Sequence, residues 1–278
     1  STPMGTAGSV KLLEERLLQT FIVASGDSVL SSDLEALVRA HKSSNAKVTM
    51  ALWEVEDPTQ FGIVGLSNMP NGNVDGNLDE GYITKFLEKP TLDQAFSNVI
   101  NAGLYIIEPE VMSYVPKDTK FDFSKELFPH LLELGLPMYG VKLNGVWFDV
   151  GTPKELIRAQ NHLVEHFESL PFGLPTGEYV DESSYLIGNS ISNSQLCRTV
   201  VSKNSIIGHD SKLIDNLVMD GAKIGNNCSL IGTIIGENVI IDDNCELTDC
   251  VIGDAVHIVA GTKMHNEQVS RNASNSTQ

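Results

Sequence analysis

The stretch LVMDGAKIGNNCSLIGTIIGENVIIDDNCELTDCVIG, residues 217–253, decides how the last third of the chain folds. Aliphatic residues return about every six positions here and on both sides, at Ile206, Leu213, Val218, Ile224, Leu230, Ile235, Ile240, Leu247, Ile252 and Ile258. An Ile-Gly pair recurs with them, at residues 187–188, 207–208, 224–225, 235–236 and 252–253. One inward aliphatic on each short face, with Gly or Asn at the corners, is the hexapeptide pattern of a left-handed parallel β-helix. Edge hairpins of a sandwich would need longer strands that alternate polar and apolar. The β-helix is therefore expected over 181–265, with a polar, aperiodic tail over 266–278.

Upstream the period changes. FIVAS (21–25) is a short apolar run ending at Gly26-Asp27, as a buried parallel strand would. SSDLEALVRAHKS reads as a helix capped by Ser32 or Asp33, and KVTMALWEV (47–55) as the next strand. Residues 67–80, rich in Asn, Gly and Asp, read as a turn or loop. YITKFLEKP, INAGLYIIEP and MYGVKLNGVWFDVG supply strands. KFDFSKELFPHLLELG and TPKELIRAQNHLVEHFE supply helices, the second with Thr152 as N-cap and Pro153 in its first position. This alternation predicts an α/β, Rossmann-like domain over 1–165 with a largely parallel sheet. A Pro- and Gly-rich linker over 166–180 follows.

Of the 278 residues, 36 are Asp or Glu and 19 are Lys or Arg, a formal net charge of −17. That balance argues against nucleic acid or an anionic membrane as a partner. With no long apolar run and no leader-like start, the expectation is a cytoplasmic protein. Anionic ligands would then be held by local lysines, backbone N–H groups or a divalent metal. Cys197, Cys228, Cys245 and Cys250 form no Cys-x-x-Cys pair and read as small buried hydrophobes.

Several residues are placed for chemistry, each with a plainer alternative. The loop Gly5-Thr6-Ala7 opens a helical pattern, so its backbone can approach a ligand or simply start a helix. Asp27 and Asp149 each end an apolar strand and can share one Mg²⁺ with substrate phosphates; either can instead serve a turn or a cap. Glu88-Lys89, stopped by Pro90, offers a hydroxyl acceptor and a phosphate contact, or a solvated edge pair. Asn101 has a donor and an acceptor for a sugar hydroxyl, or for turn chemistry. His162 and His166 have zinc-compatible spacing without the accompanying Glu and read as surface histidines. His209 and His257 offer a base for a β-helix acyltransferase, against ordinary corner positions.

In order, PMGTAGSV, VASGD, DPTQFGIV, FLEKP, NAGLYIIEPEV, KFDFSKELFP and VWFDVGTP resemble the sugar nucleotidylyltransferase (NDP-sugar pyrophosphorylase) family. The likeness is closest to its archaeal mannose-1-phosphate guanylyltransferase-like and glucose-1-phosphate thymidylyltransferase-like members, and runs from Pro3 to about Val164. It implies transfer of a nucleotidyl group from an NTP to a sugar 1-phosphate, releasing pyrophosphate. Under it, Gly5, Thr6 and Ala7 face the nucleobase, Asp27 and Asp149 hold Mg²⁺, and Gly62, Glu88, Lys89 and Asn101 line the sugar phosphate. Catalytic weight falls on Asp27, Asp149 and Lys89. The family's opening strand, its Gly-x-Gly-Thr-Arg-Leu loop and its Pro-Lys-Pro segment have no counterpart in these residues. The expectation is a nucleotidyltransferase domain lacking its first strands, with an exposed sheet edge, and with the Gly-rich loop either supplied by a second chain or belonging to a longer protein of which this sequence is a fragment. A non-catalytic regulatory or scaffold subunit and a β-helix acyltransferase are the alternatives, and homo-oligomerisation through the β-helix is expected.

Overall fold

A computed structural model describes residues 3–167, 174–188, 190–191 and 193–271. The chain falls into two compact units, Ser1–Trp147 and Phe148–Gln278.

The first unit holds a six-stranded sheet in the order β1 (Phe21–Ala24), β6 (Val99–Ile107), β3 (Val48–Glu54), β7 (Met138–Lys142), β5 (Glu80–Glu88), β4 (Gly62–Ser67). It is mixed rather than largely parallel. Only β3 and β7 run parallel; β1–β6, β3–β6, β4–β5, β4–β6 and β5–β7 are antiparallel. Helical stretches between strands signal a parallel sheet only when they are crossovers between parallel neighbours; here β4 and β5 are the only chain-consecutive neighbours, and the other antiparallel pairings join strands far apart in sequence. FIVAS is correspondingly not a buried parallel strand. It is an antiparallel edge strand, and Ile22 is 54% exposed. β4, with two glycines in six residues, gave no strand signal of its own, because Gly weakens the pattern.

Helix α1 (Gly5–Lys11) stops earlier than its apolar pattern, and a 3-10 turn at Glu14–Arg16 follows. α2 (Leu34–Ser44) is capped by Asp33, whose carboxylate accepts the Ala36 N–H at 3.1 Å. It covers one sheet face through Leu37 and Ala40, packed with Ala51, Leu104 and Ile106. A π-helical turn, Phe123–Leu127, runs into α3 (Phe128–Glu133). Phe123, Leu127, Phe128 and Leu131 fill the opposite face with Met50, Leu52, Tyr105 and Ile107. Burial of side chains this size stabilises by roughly 1.5–3 kcal/mol each.

In the second unit, α4 (Pro153–Glu165) begins as the sequence indicates. Thr152 caps it by accepting the Glu155 N–H at 3.2 Å, and Pro153 takes the first position. Part of the expected linker lies outside the described residues; the described part includes a short strand, Glu178–Tyr179.

Beyond it the chain winds through about five turns of parallel strands forming three sheets. Partners in successive turns stand 17 residues apart, as in Val200, Leu217, Ile234, Val251 and Gln268. The inward positions are Val201, Ile207, Leu213, Val218, Ile224, Leu230, Ile235, Ile241, Leu247, Ile252 and Ile258, in steps of six, six and five. Ile206 and Ile240, expected inside, point out with 51% and 41% exposure; Ile207 and Ile241 are the core residues. A six-residue period cannot separate two adjacent isoleucines, and the five-residue step decides between them. The repeat also extends into the expected tail. Gln268 and Val269 pair with Val251 and Ile252, and the rest of the tail, 272–278, lies outside the described residues.

Polar columns line the turns at the same 17-residue step. The Asn216 N–H donates to Thr199 Oγ1 at 3.3 Å, Thr233 N–H to Asn216 Oδ1 at 3.0 Å, and Cys250 N–H to Thr233 Oγ1 at 3.4 Å. Cys228, Cys245 and Cys250 are buried as expected, while Cys197 is half-buried. Each corner needs a left-handed residue. One column reads Asn193, Asp210, Asn227, Asn244 and Gly261; another reads Asn204, Gly221, Asn238 and Ala255. Ala255, at φ 53°, is the misfit in these two columns, since only Gly, Asn and Asp adopt that conformation readily. Ala255→Asn should raise stability by about 0.5–1 kcal/mol, seen as a higher melting temperature, and an unchanged or lower one would contradict the corner assignment.

Candidate active site

The site forms where β6 changes partners. Along one side, β6 pairs with β3 from Val99 to Ile107. On its other side Ile100 pairs with Ile63 of β4, and Leu104–Ile107 pair with β1. Between those two neighbours lies Asn101-Ala102-Gly103. A divergence of adjacent strands is where open α/β sheets leave a crevice for ligands. Gly103 makes the switch, at φ 77°, and its carbonyl accepts the Ser25 N–H at 2.8 Å. A β-carbon there would meet that of Ser25 at 3.0 Å.

Asn101 is fully engaged. Its Oδ1 accepts the Gly103 N–H at 2.9 Å, and its amide donates to Tyr105 Oη at 2.8 Å and Ser124 Oγ at 3.2 Å. Both amide hydrogens are spent, so Asn101 orients two hydroxyls instead of offering its own donors. Burial pushes the Tyr105 hydroxyl up to about 12, which keeps its proton on. Asp122 Oδ1 fixes the turn carrying Ser124 by accepting the Ser124 and Lys125 N–H groups at 2.9 and 3.1 Å.

Glu88 ends β5 opposite Gly62, with its carboxylate over the Gly62 α-carbon, where a β-carbon would meet Oε2 at 2.7 Å. Burial, then the charge of Asp122, raises its pKa; Lys89 and Lys125 oppose the rise. Lys89 is exposed and left-handed at φ 46°, immediately before Pro90, a position where helical backbone is disfavoured. Its N–H bonds to Phe61 O at 2.9 Å, which holds the strained turn in place. Phe61 packs edge-on against Trp147 at 5.6 Å, and the Trp147 indole donates to Ala102 O at 3.0 Å.

Asp27 lies exposed in the turn after β1, and its Oδ1 accepts the Ser25 hydroxyl at 2.7 Å. Asp149 belongs to the second unit; its Oδ1 accepts the Gly151 N–H at 3.0 Å, and Thr152 rather than Asp149 caps α4. Gly5, Thr6 and Ala7, expected as a loop, form the first turn of α1 and are strongly structural. Ala7 is fully buried, and a β-carbon on Gly5 would meet Phe121 O at 2.6 Å. Thr6 Oγ1 donates to Asp122 Oδ2 at 3.0 Å and accepts the Phe123 N–H at 2.9 Å, which joins this loop to the Asp122 turn.

The structure thus brings Gly62, Glu88 and Asn101 together with Tyr105, Asp122 and Ser124, to which the sequence reading gave no role. Tyr105 was hidden in an apolar strand and Ser124 joins Asn101 across 23 residues; only the Asp-x-Ser cap pattern of KFDFS hinted at them. The histidines take no visible part. The rings of His162 and His166 stack at 4.4 Å, and His209 and His257 each pair with an aspartate on the exposed β-helix surface. No group of three or more metal-binding side chains exists among the described residues, which a site of one or two carboxylates completed by phosphate oxygens does not require. Nor is any described helix long and apolar enough to cross a membrane.

A nucleotidyl transferase family model matches residues 1–166. The chain belongs to that family. UTP–glucose-1-phosphate uridylyltransferase of Synechocystis is 35% identical over 153 residues, 53% of this chain and 37% of that protein. The mannose-1-phosphate guanylyltransferase catalytic subunit beta of Xenopus tropicalis is 33% identical over 160 residues, 56% of this chain and 40% of that one. Probable mannose-1-phosphate guanylyltransferase 3 of Arabidopsis thaliana is 29% identical over 185 residues, 64% and 51% respectively. The matched stretch spans about half or less of each relative. Members of the family generally use a divalent metal.

The raised Glu88 pKa fixes a sign. Its folded form holds a proton more tightly than the unfolded chain, so the stability cost is present above the folded pKa and vanishes below the unfolded one. Glu88→Gln should therefore melt above wild type at neutral pH, the gap closing as pH falls to about 4. A gap independent of pH would contradict this.

Proposed function

We propose that this chain is a sugar-1-phosphate nucleotidylyltransferase, transferring a nucleotidyl group from an NTP to a hexose 1-phosphate with release of pyrophosphate. The observation that carries the reading is the polar cluster at the β6 partner switch, where Glu88, Asn101, Tyr105, Asp122 and Ser124 come together inside the region matched by the family. The names of the relatives, which act on glucose 1-phosphate and mannose 1-phosphate, support the same substrate class.

Glu88 accepts sugar hydroxyls when ionised. The Tyr105 and Ser124 hydroxyls each accept from Asn101 and bond to each other, which leaves one hydroxyl proton of the pair to donate. Lys89 contributes a point charge to the sugar phosphate, and the Gly5–Ala7 loop takes part in base recognition through its backbone, because the Ala7 side chain is inside the core. Mg²⁺ is assigned to Asp27 and Asp149. Both are acid side chains at strand ends whose only described partners use one oxygen, so each retains an oxygen for a cation. When bound, the ion neutralises charge on the phosphates. The nucleophile is a sugar phosphate oxygen that is already ionised, so rate comes from positioning and charge neutralisation. A cytoplasmic location and self-association through the β-helix belong to the same proposal.

Pyrophosphate release from UTP or GTP with the matching hexose 1-phosphate tests it, beside calorimetric titration of UDP-glucose and GDP-mannose with Mg²⁺. Asp27→Ala and Asp149→Ala should each lower turnover on the order of 10²–10³-fold. Asn101→Ala should weaken nucleotide-sugar binding by about tenfold through loss of the Tyr105 and Ser124 orientation. Absence of both turnover and nucleotide-sugar binding would overturn the assignment.

A further inference from the structure

The second unit contains a cavity of its own, about 870 Å³, between α4 and the β-helix. Its origin lies in how α4 is seated. The C-terminal half of the helix is fastened to the first turns: Asn161 donates to Asp215 Oδ1 at 2.9 Å and Gln160 to Asn216 O at 3.1 Å. Arg198 reinforces the seat with two 2.6 Å bonds to the Asp215 carboxylate. The N-terminal half of α4 faces later turns, and among the described residues no such fastening holds it. One corner column runs Arg198, Asp215, Gly232, Asp249 and Asn266 at the 17-residue step. Gly232 leaves that column without a side chain where the cavity opens.

The walls are chemically divided. Lys154 and Arg158, four apart on α4, present two cations; Asp215 already neutralises Arg198. Among the described residues Lys154 has no ion-pair partner, while Arg158 pairs with Glu155 at 3.4 Å and stands over the Phe148 ring at 5.9 Å, its guanidinium largely exposed. Opposite them stand Asp249, Asn266 and Gln268, which together donate and accept hydrogen bonds. Ile231 and Val251 form an apolar floor between the two. In a chain with net charge −17, Lys154 and the exposed head of Arg158 bring two cations to one cleft, with Glu165 also in its lining, and the volume lies within the usual range for small-molecule sites.

We propose that this cavity binds a small phosphorylated sugar, with its phosphate against Lys154 and Arg158 and its hydroxyls against Asp249, Asn266 and Gln268. Anion recognition alone would need only the cations; the amide and carboxylate wall is what selects a polyol. The site lies wholly within the second unit and is independent of the nucleotidyl-transfer proposal.

Calorimetric titration of the full chain with glucose 6-phosphate tests it, with inorganic phosphate as the comparison. A hexose 6-phosphate carries no anomeric phosphate, so its binding does not report on the proposed catalytic crevice. Saturable binding is expected, weakened about tenfold or more by Lys154→Ala or Arg158→Ala and abolished by the cavity-filling Val251→Trp. Asp249→Ala should weaken the sugar phosphate and not inorganic phosphate, and Glu88→Gln should change neither. Melting curves matching wild type show that the Lys154 and Arg158 variants remain folded. No binding, binding indifferent to Lys154 and Arg158, or inorganic phosphate binding as tightly as the sugar phosphate would overturn the proposal.

Discussion

The left-handed backbone at Gly103 is the constraint on which the first unit depends. It lets one long strand, β6, serve β4 with its first half and β1 with its second, while β3 runs along its other side. The same turn gives Asn101 its acceptor role toward the Gly103 N–H, which fixes the amide and, through it, two hydroxyls. Any residue with a β-carbon at 103 would combine a disfavoured φ with a tight approach to Ser25. Sheet topology and site geometry are thus set by one backbone conformation.

The second unit obeys a different economy. Three corners per turn demand left-handed residues, and Asn, Asp and Gly supply nearly all of them. Once these are placed, inward aliphatics and inward Thr, Asn and Cys stack on their equivalents one turn away, so each backbone N–H facing a polar column finds a partner. Thiols can replace hydroxyls in such a column because it needs a small side chain more than a strong donor. Three buried free cysteines in the β-helix therefore need no redox or metal role.

How much of this was legible depended on whether the signal was local. The β-helix, the Asp33 and Thr152 caps and the helix around Phe128 rest on residues within a turn or two of one another, and all were readable. Sheet direction was not. FIVAS looks like a buried parallel strand because its apolar run is real, yet its partner, β6, is some eighty residues away and runs against it. The five-residue step that moves Ile207 and Ile241 inward is a sum over three faces, invisible to a six-residue period. In the site, Glu88 and Asn101 were legible as polar residues at strand ends. Tyr105 and Ser124 were not, since a tyrosine amid apolar residues and a serine in a cap acquire meaning only when Asn101 joins them.

A strongly acidic chain presents a repulsive long-range field to any anionic ligand, and local features work against it. Charges are screened within about 8–10 Å at ordinary ionic strength, so contact neighbours outweigh the sum over the chain. Around Glu88, Lys89 and Lys125 already oppose the effect of burial and Asp122 on the carboxylate, which makes that corner less acidic than its composition. On α4, Lys154 and Arg158 stand clear of the Arg198–Asp215 pair that fastens the helix. In both units, lysines and arginines with exposed head groups sit beside polar groups. Net charge consequently acts on the rate of encounter, while any recognition of an anion has to rest on a few local lysines and arginines.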